Sequence, residues 1–190
     1  MSGVTAVAII IAVLAIAFGL FMFVQRERTK RLRSKFGPEY DRAIDQYGNQ
    51  RRAEDDLTHR QKRVEKLHLR DLDAMEAERF SNAWRAEQAR FVDQPREAVA
   101  KADRLVQDLM KGRGYPMGDF EQRAADISVD HARVVEHYRA AHELAVRDAN
   151  GQASTEDLRQ AMVHYRSLFE DLLDRRVHSI PEPVRDEVAK

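Results

Sequence analysis

Val4 to Val24 is an uninterrupted apolar run, VTAVAIIIAVLAIAFGLFMFV, in which only Thr5 and Gly19 are not strongly apolar. As an α-helix it would be roughly 31 Å long, the thickness of a bilayer's hydrocarbon core. That predicts residues 1–25 as a transmembrane anchor. The competing reading is a secretory signal, with the body secreted after cleavage. A signal has a basic leader, a shorter apolar stretch and a small-residue cleavage site before a polar start. Here no Lys or Arg precedes the run, and Ala15-Ile16-Ala17 is followed by more apolar residues. The features favour the anchor.

Charge supplies the orientation. The chain holds 32 basic and 32 acidic residues, a formal net charge of zero, but they are unevenly spread. Residues 1–25 carry none. Residues 26–37 form a basic juxtamembrane segment, where Arg26, Arg28, Lys30, Arg31, Arg33 and Lys35 face Glu27 alone. The body beyond is mildly acidic, with 26 basic and 31 acidic groups. Basic residues stay on the cytoplasmic side and attract anionic headgroups. The expectation is an inner-membrane, single-pass protein with its N-terminus outside and its body in the cytoplasm. The overall neutrality argues against nucleic-acid binding. The lack of cysteine excludes disulfides and thiolate sites.

Within the span, Ala8, Ala12, Ala15 and Gly19 share one helix face. Small residues there allow close helix approach, so self-association is one reading. A chance stripe in an alanine-rich span is the other.

The body reads as all-α. Phe36-Gly37-Pro38 breaks the first helix, because proline disfavours helical geometry in the residue before it. Residues 38–72 then read as a long charged arm helix and linker. Tyr40, Ala43, Ile44, Tyr47, Leu57 and Val64 keep an approximate heptad, while Gln50, Glu54 and Gln61 intrude on the seam. Such a seam suits a solvated arm or marginal coiled coil.

Residues 73–178 read as a small helical bundle. Asp73 with Glu76 forms a capping box, and Asp93 is expected to cap the next helix before Pro95. Gly112 and Gly114 mark a stop. Phe120 to Ile127 predicts a short helix, Ser128 or Asp130 the cap of the following one, and Ser154 the cap of the last. The last helix carries the cleanest stripe, Leu158, Ala161, Met162, Tyr165, Phe169 and Leu172. Residues 179–190 read as a flexible tail. No segment alternates as a strand would.

The search for chemistry yields little. Of seven histidines, only Glu65-Lys66-Leu67-His68 has the spacing of a di-iron ligand pair. His131 and His142 lie three turns apart, too far to chelate one ion. No metal, cofactor or catalytic residue is expected. Gly112 to Asp119 (GRGYPMGD) is the one glycine-rich loop, but it lacks the Gly-Lys-Ser/Thr of a phosphate-binding loop. It reads either as a rigid helix connection or as a recognition loop showing Arg113, Tyr115 and Asp119 to a partner.

Ser34 to Arg42 (SKFGPEYDR), Arg90-Phe91-Val92-Asp93, Arg113-Gly114-Tyr115-Pro116, Asp119 to Asp126 (DFEQRAAD) and Val129-Asp130-His131 resemble a family of uncharacterised bacterial single-pass, membrane-anchored helical proteins. The likeness extends over nearly the whole chain and is most specific over 113–139. Where related sequences have a proline-bearing Leu-Ser-Pro-Glu-like helix start, this chain has Leu72-Asp73-Ala74-Met75. The resemblance implies an anchored helical body and carries no activity. The expected role is a non-enzymatic interaction or scaffold protein binding an unknown protein partner or itself. The alternative is a ligand-binding or sensor module with a pocket near 112–119.

Overall fold

The computed structural model describes residues 3–174, with side chains from residue 10 onward. The tail expected at 179–190, His178 and the Ala8 side chain lie outside this range. Among the described residues there are eight helices and no strand. They divide into two compact units, the boundary falling after Arg60.

The first unit begins with α1 (Gly3–Phe36), in which the apolar run and the basic segment form one continuous helix. From Ile10 to Val24 its large apolar side chains are exposed, and it is the one described helix long and apolar enough to cross a membrane. That is compatible with a single-pass anchor or a signal sequence. Gly37, at φ 50°, makes the break, and Pro38 starts α2 (Pro38–Tyr47). Gly48, in the left-handed region, ends it.

A second helix, α3 (Gln50–Val64), follows. In place of one continuous arm helix, residues 38–64 therefore form two helices that turn back toward the end of α1. Leu32, Phe36, Tyr40, Ala43, Ala53 and Leu57 are buried among them. Glu54, which looks like a fault in a heptad seam, is buried with three donors on one oxygen: Thr29 at 2.7 Å, Tyr40 at 2.8 Å and Gln50 at 2.8 Å. Glu39 and Arg60, both buried, pair at 2.8 Å. A charged seam can enter an interior when its charges meet partners there.

The second unit contains α4 (Ala74–Arg90), α5 (Pro95–Gly112), α6 (Phe120–Asp130), α7 (Val135–Ala149) and α8 (Thr155–Asp174). Asp73 and Glu76 form the reciprocal capping box. Ser154 and Asp157 cap α8 reciprocally. Two expected caps are corrected. Gln94, not Asp93, precedes α5, and Pro95 opens it. Helix α6 runs through Ser128, whose hydroxyl bonds back to the Ala125 carbonyl, and neither Ser128 nor Asp130 caps α7.

Helices α4 and α5 form one antiparallel hairpin, and α7 and α8 another. Arg147 on α7 pairs with Asp157 on α8 at their joined ends. The hairpins meet chiefly through α5 and α8, which run parallel. Asp103 of α5 accepts from the Tyr165 hydroxyl of α8 at 2.8 Å, and Arg113 reaches Leu172 near both C-termini. Phe80, Trp84, Val106, Leu109, Ile127, Tyr138, Leu158, Leu168 and Phe169 belong to a single core. Trp84 stacks on Phe169 at 4.7 Å between centroids. Burying such aromatic and aliphatic side chains contributes about 1.5–3 kcal/mol each.

Candidate functional site

In the first unit the basic residues that follow the apolar run separate into two groups. Arg28 is held by Asp55 at 2.8 Å and Thr58 at 3.0 Å, while Arg33 pairs with Asp41 at 3.1 Å and lies over the Tyr40 ring. Lys30 pairs with Glu27 at 3.3 Å. Arg26, Arg31 and Lys35 are exposed and make no ion pair among the described residues. The sequence marks all six as one collar. Folding uses Arg28 and Arg33 to bind α2 and α3 to α1 and leaves three cations outward.

Glu54 anchors this cluster. Burial raises its pKa, but hydrogen bonds from Gln50, Thr29 and Tyr40 and the charge of Arg28 outweigh burial and hold it below the usual carboxylate range. Burial and the same carboxylate push Tyr40 up to about 12.

In the second unit the 112–119 loop is tied down at several points. Arg113 is buried: its guanidinium donates to the Leu172 carbonyl and approaches Asp71 at 3.7 Å. Its own carbonyl accepts from the Arg70 N–H at 3.0 Å. Gly114 has φ +93°, and a Cβ there would lie 2.6 Å from the His68 carbonyl oxygen. Tyr115 is buried, with its ring edge toward His131. Asp119 caps α6 by accepting from the Gln122 N–H at 2.8 Å. Thus Arg113 and Tyr115 face inward, and the exposed apex is Pro116-Met117-Gly118.

Beneath that apex lies a half-buried polar cluster absent from the sequence reading. Arg123 donates to the Gly118 carbonyl at 2.6 Å and to the Tyr138 hydroxyl at 3.1 Å. His142 stacks on Phe120 at 3.6 Å, and burial lowers its pKa. Burial, reinforced by the charge of Asp103, raises the pKa of Tyr165. Tyr138 is likewise raised by burial, partly offset by Arg123. The Arg123–Tyr138 bond joins α6 to α7, and the Tyr165–Asp103 bond joins α8 to α5. Their role is positional: through the Gly118 carbonyl, Arg123 holds the loop on α6.

The histidines fall in unlike places. His131 is buried and donates from Nδ1 to the Asp171 carboxylate. His68 lies beyond the end of α3, so Glu65 and His68 do not share a helix face. His137 and His164 meet across α7 and α8 with Nδ1 atoms 2.9 Å apart. Nothing in the spacing of either helix signals this pair, because it depends on the α7–α8 register. No group of three or more His, Asp or Glu able to hold a metal occurs among the described residues.

A cleft of about 510 Å³ opens elsewhere, beside the N-terminal ends of α5 and α8, where Pro95, Arg96, Glu97, Thr155 and Leu158 line it. The chain matches no family model, no curated protein and no solved structure.

Proposed function

We propose that this chain is a membrane-tethered, non-enzymatic interaction protein whose two helical units lie on the cytoplasmic side. The observation that carries this reading is the continuity of α1. Its exposed apolar stretch runs directly into the basic segment, and the α2 and α3 side chains grip that segment through Arg28 and Arg33. The exposed cations Arg26, Arg31 and Lys35 face anionic headgroups, each contributing about 1 kcal/mol near such a surface. The four longer helices of the second unit serve as a bundle scaffold, and its exposed 116–118 apex is the contact offered to a protein partner. Ala12, Ala15 and Gly19 are exposed on α1, with no atom within 4 Å of a Cβ built on Gly19. Together with Ala8 they offer a face for a second copy.

Topology and partnership are tested together. An alkaline phosphatase fusion after Lys190 is expected to be inactive, and activity there would overturn the cytoplasmic assignment. Affinity capture of the full-length protein from native membranes is expected to recover a partner or a second copy that a span-deleted form loses. Monomer alone in both captures would overturn the interaction role.

A further inference from the structure

Thr29 of α1 stands five residues past Val24, about 7.5 Å along the helix axis. Its hydroxyl donates to Glu54 at 2.7 Å and accepts from the Gln50 amide at 3.4 Å. Those contacts set the first turn of α3 beside the part of α1 that directly follows the apolar run. Asn49 caps that turn, accepting from the Arg52 N–H at 3.2 Å, so the turn displays the side chains of Arg51 and Arg52. Both are exposed and make no ion pair among the described residues. Around them the acids are engaged within the unit. Glu27, Glu39, Asp41, Asp55 and Asp56 sit in ion pairs, and Glu54 is buried among its donors. Between residues 26 and 60 that leaves Asp45 against the exposed cations Arg26, Arg31, Lys35, Arg42, Arg51 and Arg52. Folding thus turns the positive charge of this unit outward.

We propose that the first turn of α3 is a second contact with anionic lipid headgroups, in which Arg51 and Arg52 bind lipid phosphates. The inference rests on the reading of α1 as a membrane tether and extends its lipid surface to another helix. Outside the hydrocarbon, the polar layer of a bilayer is about 5–7.5 Å thick on each side. A turn docked at Thr29 therefore lies at the outer edge of that layer, within the length of an arginine side chain. Arg28, on the side of α1 that meets α3, is already held by Asp55. Arg51 and Arg52 return to that side the cationic contacts that Arg28 does not make. Each guanidinium presents a planar fork to phosphate oxygens. With one contact on α1 and another on α3, the unit is held against the surface, whereas α1 alone would leave it free to pivot.

The chain has no cysteine, so a single dye can be attached at Gln46→Cys, an exposed position in the last turn of α2, or at Val24→Cys. Each labelled full-length protein is reconstituted in vesicles of phosphatidylcholine alone or with about 30% phosphatidylglycerol. All vesicles hold a trace of headgroup-spin-labelled lipid as a short-range quencher. Quenching at Gln46 is expected to rise about twofold with the anionic lipid. That rise is expected to vanish when Arg51→Gln and Arg52→Gln are combined, and in about 1 M salt, where charges are screened beyond about 3 Å. Quenching at Val24 is expected to be the same under all these conditions. An unquenched Val24 in every vesicle would overturn the tether and this inference with it. A quenched Val24 beside a Gln46 that is unquenched, or quenched equally in both lipids, or indifferent to the double substitution, would leave the tether standing and overturn the α3 contact.

Discussion

The Arg113 guanidinium, at the C-terminal end of α5, donates to the backbone carbonyl of Leu172 in the last turn of α8, 59 residues along the chain. The bond ties the end of α5 to α8 through the buried cation of Arg113, and a charged donor makes a stronger hydrogen bond than a neutral one. The same residue accepts from Arg70 through its carbonyl, joining three segments at one point.

Replacing that guanidinium removes a buried charge-assisted bond between α5 and α8. Arg113→Met is expected to lower the unfolding free energy by about 2–3 kcal/mol. Arg113→Lys is expected to recover little, because an ammonium lacks the planar fork that reaches Leu172 and Asp71 together. Urea denaturation in micelles, followed by circular dichroism, measures both.

Gly114 and Gly151 both have positive φ, yet a Cβ at Gly114 would strike the His68 carbonyl while one at Gly151 meets nothing within 4 Å. Gly151→Ala is expected to cost about 1 kcal/mol of backbone strain. Gly114→Ala adds displacement of the Leu67–Arg70 backbone and is expected to cost at least about twice as much. Equal losses in thermal denaturation would remove the close approach as the reason for glycine.

The cluster around Glu54 sets a pH window through two groups of opposite sign. Glu54 has a lowered folded-state pKa, so its contribution is present above the ordinary carboxylate value of 4.5 and is lost as pH falls through the folded value. Tyr40 has a raised folded-state pKa, so its contribution is complete below 10 and is lost as pH rises through about 12. The packing of α3 on α1 is expected to be firmest between those limits. Tyr40→Phe should remove one tyrosine's share of the late-titrating tyrosinate absorbance, the remainder belonging to the buried Tyr138 and Tyr165.

The helix starts give a matched comparison. Asp73→Ala removes half of a capping box and is expected to cost about 1 kcal/mol. Asp93→Ala removes a residue that does not cap α5 and is expected to stay within about 0.5 kcal/mol. Comparable losses in chemical denaturation would contradict the position of the α5 start.

Local patterns carried much of the outline. A 21-residue apolar run, a basic segment after it, the Gly37-Pro38 break and the Asp73 and Ser154 caps depend on neighbours within one or two turns. The stripe from Leu158 to Leu172 predicted the buried face of α8, and all six of its residues are buried. The Asp93 and Ser128 caps failed for a local reason as well. Proline sets the start of α5 one residue later, and α6 continues through Ser128 because that hydroxyl can bond back to its own helix.

What the sequence by itself determined was the helical class, one helix suited to a bilayer, the placing of basic charge beside it, and most helix ends, since all of these follow from residue type and short-range spacing. Only the tertiary structure decided which charges were structural. Glu54 reads as a polar intrusion until Thr29 and Tyr40, 25 and 14 residues away, supply its hydrogen bonds. Arg113 reads as a displayed loop residue until α8 brings Leu172 to it. His137 and His164 are two ordinary histidines until the α7–α8 register sets their nitrogens 2.9 Å apart. Each outcome rests on a partner distant in sequence, and such partners are chosen by how helices pack, not by the periodicity of any one helix.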